Sequence, residues 1–287
     1  LKLVARLWQV SPTTGTVGTS ITIWGDGYSD QETIYFKLGI LGTVSTSIKA
    51  YGGTFSNSFL INTQVSGTCT IEAIGFGLGK SNQSTTNYVW IDGHITNVLP
   101  ASGPVGTFVT VTGDGFGKNE VVPIDFGKTT GITNASASEF GTFSCVFTVN
   151  TQAIGTTTIV ATGSLTKDDD IFRITTGIAA ISPVNGTVGT LVSIAGGGYQ
   201  ANELIRISFG QTMTINTCVA DNNGWINGSF TVDEQVYGYK TVTATGIISN
   251  SAGNIGFSIL QNLTYVTPTN GTVGSCVTVY GNGYNAG

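Results

Sequence analysis

The chain alternates apolar and hydroxyl-bearing residues in short runs that glycines separate. Val109-Thr-Val111, Ile205-Arg-Ile-Ser-Phe209 and Thr241-Val-Thr-Ala-Thr245 show this period of two. Successive side chains of a strand point to opposite faces, so the period predicts half-buried strands. No window shows a 3.6-residue apolar period with helix caps, and we therefore expect almost no helix.

One stretch recurs four times and sets the register of the whole chain. Each copy reads Pro-x-x-Gly-x-Val-Gly-Thr/Ser, then an alternating run, then Gly-x-Gly and an aromatic residue. The copies run from Pro12 to Tyr28, Pro100 to Phe116, Pro183 to Tyr199 and Pro268 to Tyr284, at spacings of 88, 83 and 85 residues. A fixed internal period indicates a tandem array of one folding unit.

The second period yields seven predicted strands. They are residues 95–99, 108–112, 121–126, 132–136, 143–149, 157–162 and 171–174. Val, Ile, Thr, Phe and Tyr dominate these runs, which suits a pleated and half-buried surface. Seven short strands within one period, separated by glycine-marked turns, are typical of an immunoglobulin-like β-sandwich.

The repeats predict an all-β chain of tandem immunoglobulin-like sandwiches. The domains are residues 1–91, 92–175 and 176–260, followed by an incomplete fourth repeat at 261–287. No Gly/Ser spacer separates them, so we expect a semi-rigid rod. The fourth repeat holds only the first strands of a sandwich, which cannot bury a core. We expect the natural chain to continue past 287, with strand addition to a neighbour's sheet as the alternative.

The recurring stretch resembles a known domain type. Pro-x-x-Gly-x-Val-Gly-Thr-x-Val-Thr-Val-x-Gly-x-Gly-Phe, followed by Ile-x-Phe-Gly, is similar to the IPT/TIG immunoglobulin-like domain. The resemblance covers essentially the whole chain, although the first repeat has Phe36-Lys-Leu-Gly39 where the second has Ile124-Asp-Phe-Gly127. It implies an early-set sandwich like those repeated in large surface and extracellular proteins of bacteria and archaea. The domain type also occurs in transcription factors, receptors and beside starch-acting enzymes, so it does not fix the function.

Composition narrows the classes of partner. Charged residues make up 9% of the chain, against roughly 25% in an ordinary soluble domain. A net charge of −5 with 11 scattered Lys and Arg argues against nucleic acid, which binds clustered cations. So few charges repel neighbouring copies weakly, which favours self-association or a cover of sugar. No apolar run is long enough to predict membrane insertion.

Candidates for catalysis and metal binding are sparse. The single histidine, His94, lies in a domain join and cannot serve a recurring triad, so we expect neither an enzyme nor a cofactor. Asp168, Asp169 and Asp170 form the densest acidic cluster and a weak calcium candidate, but we interpret them as a solvated hairpin tip. The Gly-x-Gly segments lie between strands, so they predict turns rather than a phosphate site.

The sequence leaves open whether disulfides form and whether the chain is glycosylated. Each repeat has one cysteine, which excludes a disulfide within a domain and leaves free thiols or a bridge between domains or chains. The cysteines are Cys69, Cys145, Cys218 and Cys276. Asn185 and Asn270 are possible glycosylation sites that lie in the Pro-x-Asn-Gly turn and should be exposed. The other sequons begin at Asn82, Asn134, Asn227 and Asn262.

Outward apolar residues that the fold does not require are the best candidates for contacts. Ile21 and Ile23 should face the core, so Trp24 should face outward. Its equivalents in the later repeats are Thr112, Ala195 and Tyr280. Trp8, Phe108 and Leu191 are further candidates for assembly or for stacking on glycans. The alternative is that these are single exposed apolar residues without a role.

These features predict a structural protein of a prokaryotic cell surface or extracellular space. We expect it to self-assemble through low-charge faces into a filament, sheath or surface layer, and Trp24→Ala to weaken assembly without unfolding the domains. The alternative is an adhesin or carbohydrate-binding array whose partners are surface glycans. A third, less favoured hypothesis is that the chain is the accessory region of a secreted enzyme.

Overall fold

The computed structural model of the protein describes residues 4–39, 42–76 and 83–284. These residues form strands, turns and loops, and none of them is helical. The strands make three two-sheet sandwiches and a final hairpin. The predicted all-β class is therefore confirmed.

The first sandwich packs a three-stranded sheet against a five-stranded sheet. Its strands are β1 (Arg6–Ser11), β2 (Thr14–Gly15), β3 (Ser20–Asp26), β4 (Thr33–Leu38), β5 (Thr43–Lys49), β6 (Thr54–Leu60), β7 (Gly67–Phe76) and β8 (Gln83–Ile91). The sheets have the orders β1-β3-β6 and β2-β8-β7-β4-β5. Phe36 of one sheet and Phe55 of the other meet in the core with ring centroids 5.5 Å apart.

The second and third sandwiches repeat this topology. The second has β9 (His94–Leu99), β10 (Ser102–Gly103), β11 (Phe108–Asp114), β12 (Val121–Phe126), β13 (Thr129–Ser136), β14 (Phe143–Thr148), β15 (Gly155–Thr162) and β16 (Lys167–Ile174). The third has β17 (Gly177–Ser182), β18 (Asn185–Gly186), β19 (Leu191–Gly197), β20 (Leu204–Phe209), β21 (Thr212–Val219), β22 (Ile226–Thr231), β23 (Gly238–Gly246) and β24 (Ala252–Ile259). Their sheets have the orders β14-β11-β9, β10-β16-β15-β12-β13, β17-β19-β22 and β18-β24-β23-β20-β21. All seven strands predicted for the second period are present.

The recurring stretch carries the chain from one sheet to the other. In the first sandwich, β1 pairs with β3, whereas β2 runs parallel to β8 in the opposite sheet. Pro12 stands at the switch between them, and the peptide bond before it is cis, as it is before Pro100, Pro183 and Pro268. The stretch then enters β3, whose Ile21 and Ile23 are fully buried. Full burial of such a side chain contributes about 1.5–3 kcal/mol.

The fourth repeat consists of β25 (Asn262–Thr267) and β26 (Thr278–Asn282). These two strands form a sheet of their own, without a second layer. Val266 and Val279 are 38% and 54% exposed, whereas their equivalents Val10 and Ile23 are 6% and 0% exposed. The positions that form the core of a complete sandwich are therefore uncovered in this hairpin.

Successive repeats are joined by one recurring backbone hydrogen bond. The amide of Ser66 donates to the carbonyl of Phe116 over 3.2 Å. At the next join, the amide of Ile154 donates to the carbonyl of Tyr199 over 3.3 Å. In the last join, the amide of Tyr237 donates to the carbonyl of Gly283, one residue before the equivalent aromatic residue Tyr284. The aromatic turn that ends the recurring stretch therefore contacts the preceding repeat.

The chain divides into two compact units, and the division passes through the second sandwich. One unit holds the segment ending at Pro100 together with Val109–Phe147 and Thr158–Ile171. The other holds Ala101–Phe108, Thr148–Thr157 and the segment that starts at Phe172. The predicted domain boundaries and the rod stay predictions.

Candidate functional site

The outer face of β1, β3 and β6 carries the densest group of predicted contact residues. Asp26 of β3 pairs with Arg6 of β1 on one side and with Thr54 of β6 on the other. In the next row Trp24 lies opposite Ser56. Trp8 stands where the register between β1 and β3 shifts, between Leu7 and Gln9. The bulge brings Trp8 onto the face that alternation gives to Trp24.

Trp8 and Trp24 form a pair of tilted rings above this sheet. Their ring centroids lie 6.2 Å apart, with an interplanar angle of 39°. Trp8 is 50% exposed, and Trp24 is half-buried. Together with Lys49 and Tyr51 they line an open groove of about 690 Å³. The structure thus brings two sequence-predicted residues into one surface site, which we call the tryptophan groove.

The two cations at the rim of the tryptophan groove, Arg6 and Lys49, differ in their ion pairing among the described residues. Arg6 Nε and Nη2 donate to Asp26 Oδ1 and Oδ2 over 2.8 and 3.0 Å, a bidentate pair. Hydrogen bonding from Arg6 holds the pKa of Asp26 below its ordinary value. Lys49 is exposed, and no carboxylate among the described residues forms an ion pair with it. A ligand would therefore meet one unpaired cation beside two indole rings.

The other repeats provide an internal comparison for this site. In the second sandwich, Thr96 and Thr112 replace the tryptophans and hydrogen-bond to each other over 2.9 Å. In the third, the equivalent residues are Ala179 and Ala195. Among the three two-sheet repeats, as far as the structure describes them, only the first has an aromatic groove at this position.

Phe108 and Leu191 occupy one and the same position in two repeats. They begin β11 and β19 and are 72% and 64% exposed. The following residues, Val109 and Val192, are fully buried. Phe108 and Leu191 therefore point away from the core, as predicted, and each lies on the outer face of a three-stranded sheet.

A second aromatic surface was not identified from the sequence. On the five-stranded sheet of the first sandwich, Tyr35 and Phe76 pack edge to face with centroids 5.3 Å apart. Tyr88 on the same sheet is 56% exposed. Trp90 is 37% exposed, and its Nε1 donates to Asp92 Oδ1 over 2.8 Å. The alternation around the buried Phe36 and Val89 is the sequence signal that could have revealed this face.

The aspartate run lies within a strand rather than at the predicted hairpin tip. Strand β16 begins at Lys167, so Asp168, Asp169 and Asp170 project alternately to its two sides. The reason is that pairing with β15 extends along β16 and overrides the low strand propensity of Asp. Within the described ranges, no three His, Cys, Asp or Glu side chains are grouped to hold a metal ion.

His94 belongs to β9 and is not a free linker residue. Its Nδ1 lies 3.1 Å from Asp168 Oδ2. The same oxygen accepts a hydrogen bond of 2.7 Å from the amide of Ile95. Asp168 therefore fixes the start of β9.

Buried carboxylates, also missed in the sequence, support turns. Glu203 is fully buried and accepts hydrogen bonds from the amides of Gln200 and Ile248 at 3.1 and 2.7 Å. The amide and hydroxyl of Ser249 donate to it as well. Burial alone would raise the pKa of Glu203, but these hydrogen bonds outweigh it, and the net effect lowers the pKa. Glu120, which is half-buried, has the equivalent role beside Ser164.

The cysteines are free thiols in different environments. Cys69 is buried, Cys145 and Cys218 are half-buried, and Cys276 is exposed. Burial raises the pKa of Cys69 and of Cys145 to about 11. These two thiols are therefore poor nucleophiles near neutral pH.

The two turn sequons are accessible. Asn185 and Asn270 are both exposed, as predicted. Asn82 lies outside the described residues. No helix of the described chain is long and apolar enough to span a membrane.

Comparison with known proteins gives structural likenesses alone. No protein-family model matches the chain, and no curated protein matches it. A tetra-tandem repeat from the extending region of a large adhesion protein is 15% identical, with 93% of this chain and 76% of that one covered and a TM-score of 0.30.

Two further solved structures are similar at the same level. SGBP-B of the Bacteroides ovatus mixed-linkage glucan utilization locus, in complex with a heptasaccharide, is 16% identical over 88% of this chain and 67% of its own, with a TM-score of 0.30. Invasin, a bacterial integrin-binding protein, is 14% identical over 93% and 62%, with a TM-score of 0.27. At these values the likenesses carry no argument about function, and the immunoglobulin-like assignment rests on the strand order.

Proposed function

We propose that this chain is a structural segment of a cell-surface or extracellular protein. Its sandwiches, of the IPT/TIG type, associate side by side with other copies of the chain into a filament or surface layer. It acts mechanically and catalyses no reaction. The observation that carries the proposal is the pair Phe108 and Leu191, two large apolar side chains exposed at the same position of two repeats.

The surroundings of these two residues favour lateral contact. The outer face around Leu191 presents Ser193 of the same strand and Thr231 and Ser229 of the neighbouring strand β22. A face of hydroxyl groups with one large apolar side chain carries little charge to repel a second copy. Because a large apolar residue occupies this position in both the second and the third repeat, one contact geometry can be used twice in each chain, which is how weak contacts add up in an array.

The experiment compares assembly of the full chain with that of a double variant, Phe108→Ser with Leu191→Ser. Serine is the residue that the first repeat carries at this position, Ser20. In the control variant, Val121 and Leu204 are replaced by Ser instead. These two residues are 62% and 47% exposed at equivalent positions of the five-stranded sheets. We expect light scattering to show assembly lost in the first variant and kept in the control. Equal behaviour of the two variants would refute the role of this face.

The second candidate function is adhesion through glycans. The tryptophan groove favours it, because paired exposed aromatic rings beside polar groups suit a small polar ligand with apolar faces. In this case the array displays the first sandwich as the binding domain, and Trp8 and Trp24 contact sugar rather than another copy.

A further inference from the structure

We propose that the tryptophan groove of the first sandwich binds a glycan that carries carboxylate groups. The inference rests on the second candidate function, glycan binding, and does not depend on lateral assembly. It names the chemical class of the ligand and the residue that selects it.

The aromatic part of the groove accounts for the sugar ring. A pyranose has an apolar C–H face that packs against an indole, and the hydroxyl groups at its edge need hydrogen-bond partners. Trp8 and Trp24 provide two tilted rings with centroids 6.2 Å apart. Thr54 and Ser56 are exposed on the adjacent strand and lie beside Asp26 and Trp24. Ring faces and hydroxyl partners are thus available on one surface.

The cations at the rim select a negative charge. Arg6 is already paired with Asp26, which also fixes its position. Lys49 has no ion-pair partner in the described part of the chain. A ligand carboxylate would give this exposed ammonium group its opposite charge, with a charge-assisted hydrogen bond. A neutral glycan would leave Lys49 unused.

The charge of the repeats supports the same ligand class. Residues 1–91 contain five Lys and Arg against four Asp and Glu, whereas residues 92–175 contain four against eight. Residues 176–260 contain two against four. In a chain of net charge −5, the first repeat is the one toward which an acidic polymer is attracted.

The absence of the groove from the other sandwiches separates it from the assembly contact. A contact that builds an array is expected in more than one repeat, as Phe108 and Leu191 are present in the second and third. The tryptophan groove is replaced by Thr96 and Thr112 in the second sandwich and by alanines in the third. A site present in one repeat is suited to a ligand that the chain captures once.

The test uses the full chain at a concentration at which light scattering shows monomers. The probes are oligogalacturonates and oligoglucuronates of defined length, each paired with its methyl ester, in which the carboxylate is neutral. Isothermal titration calorimetry measures the dissociation constants. We expect the acid forms to bind about tenfold more tightly than the esters, the factor that a charge-assisted hydrogen bond contributes.

Variants assign the two parts of the groove. Lys49→Gln should remove the preference for the acid form and leave the affinity for the ester unchanged. Trp24→Thr, which introduces the residue of the second sandwich, should weaken both forms by about tenfold or more, as truncation of a buried aromatic anchor does. Thr112→Ala is the matched control and should bind as the unmodified chain does. Thermal unfolding confirms that each variant remains folded.

Three results would overturn the proposal. They are no binding of any acidic probe to the unmodified chain, an acid preference that survives Lys49→Gln, or unchanged binding by Trp24→Thr. If Trp24→Thr abolishes self-association and no probe binds, the occupant of the groove is another copy of the chain. An unmodified chain that never assembles but binds the acidic probes selectively would instead refute the structural function and leave this inference standing.

Discussion

Glu203 shows how a single side chain can secure a repeat without any part in recognition. Its carboxylate is fully buried and accepts hydrogen bonds from a turn on one side and from Ser249 on the other. Glu120 and Glu32 stand at the same offset from the Gly-x-Gly turn in the other complete repeats. The repetition was readable in the sequence, but nothing in the pattern of hydrophobic positions indicates that an acidic residue will be buried.

Replacing Glu203 with Gln tests this role. The amide keeps the shape but loses the charge, so we expect the free energy of unfolding at pH 7 to fall by about 2 kcal/mol, the value of hydrogen bonds to a charged group. Glu234→Gln, an exposed control in the same sandwich, should change it by less than about 0.5 kcal/mol. Urea unfolding followed by circular dichroism measures both.

The pH dependence gives an independent check on the same carboxylate. Because the folded state lowers the pKa of Glu203 below its ordinary value of 4.5, its stabilisation is complete above that pH. It is lost as the pH falls through the folded-state pKa. The difference between the unmodified chain and Glu203→Gln should therefore shrink at pH 3. A difference of equal size at pH 3 and pH 7 would show that packing, and not charge, is what the variant removes.

For the strands and the joins between repeats, the sequence predicts which strands exist better than it predicts their bounds and registers. Alternation predicted all seven strands of the second repeat, because period two marks a half-buried strand directly. The position of Trp8 in a bulge was not readable, since a register shift depends on the partner strand. The start of β16 at Lys167 was missed because sheet pairing overrides the propensities of Asp.

The join between the second and third repeats explains one residue that differs among the copies. Gly197 stands where the first two repeats have Asp26 and Asp114. A β-carbon at Gly197 would lie 2.8 Å from Val105 Cγ2 and 2.9 Å from the ring of Trp225. Val105 belongs to the preceding repeat, so the close approach at this join leaves no room for a side chain.

Gly197→Ala should therefore strain the join. We expect a loss of about 1–3 kcal/mol in the stability of the third sandwich, as overpacking of a close contact gives. The measurement is amide hydrogen exchange of the third sandwich in increasing denaturant, because Trp8, Trp24 and Trp90 of the first sandwich would mask the fluorescence of Trp225. Val105→Ala added to Gly197→Ala should restore part of the loss, because it removes the nearest methyl group. An unchanged stability in Gly197→Ala would contradict the close packing of this join.

For the whole molecule, the sequence predicts the fold class, whereas the tryptophan groove depends on contacts that only the structure shows. Periodicity and composition predicted an all-β tandem array, and the strand order confirms it. The tryptophan groove could be predicted in part, since alternation placed Trp24 outward. The ring pair with Trp8, and the lack of an ion-pair partner for Lys49 among the described residues, depend on three-dimensional neighbours. The domain boundaries, the rod and self-association stay predictions. Each depends on contacts between domains or between chains, which the strand pattern of one chain does not specify.

Electron microscopy of the purified chain, over a range of concentrations and at two salt concentrations, tests lateral assembly directly. We predict lateral assemblies in which outer faces of the three-stranded sheets meet, with Phe108 and Leu191 at the contacts. Their formation should change little with salt, because the hydroxyl-bearing side chains around Leu191 carry no charge for salt to screen. Monomers at every concentration, or assemblies whose contacts leave Phe108 and Leu191 exposed, would refute lateral assembly through these faces.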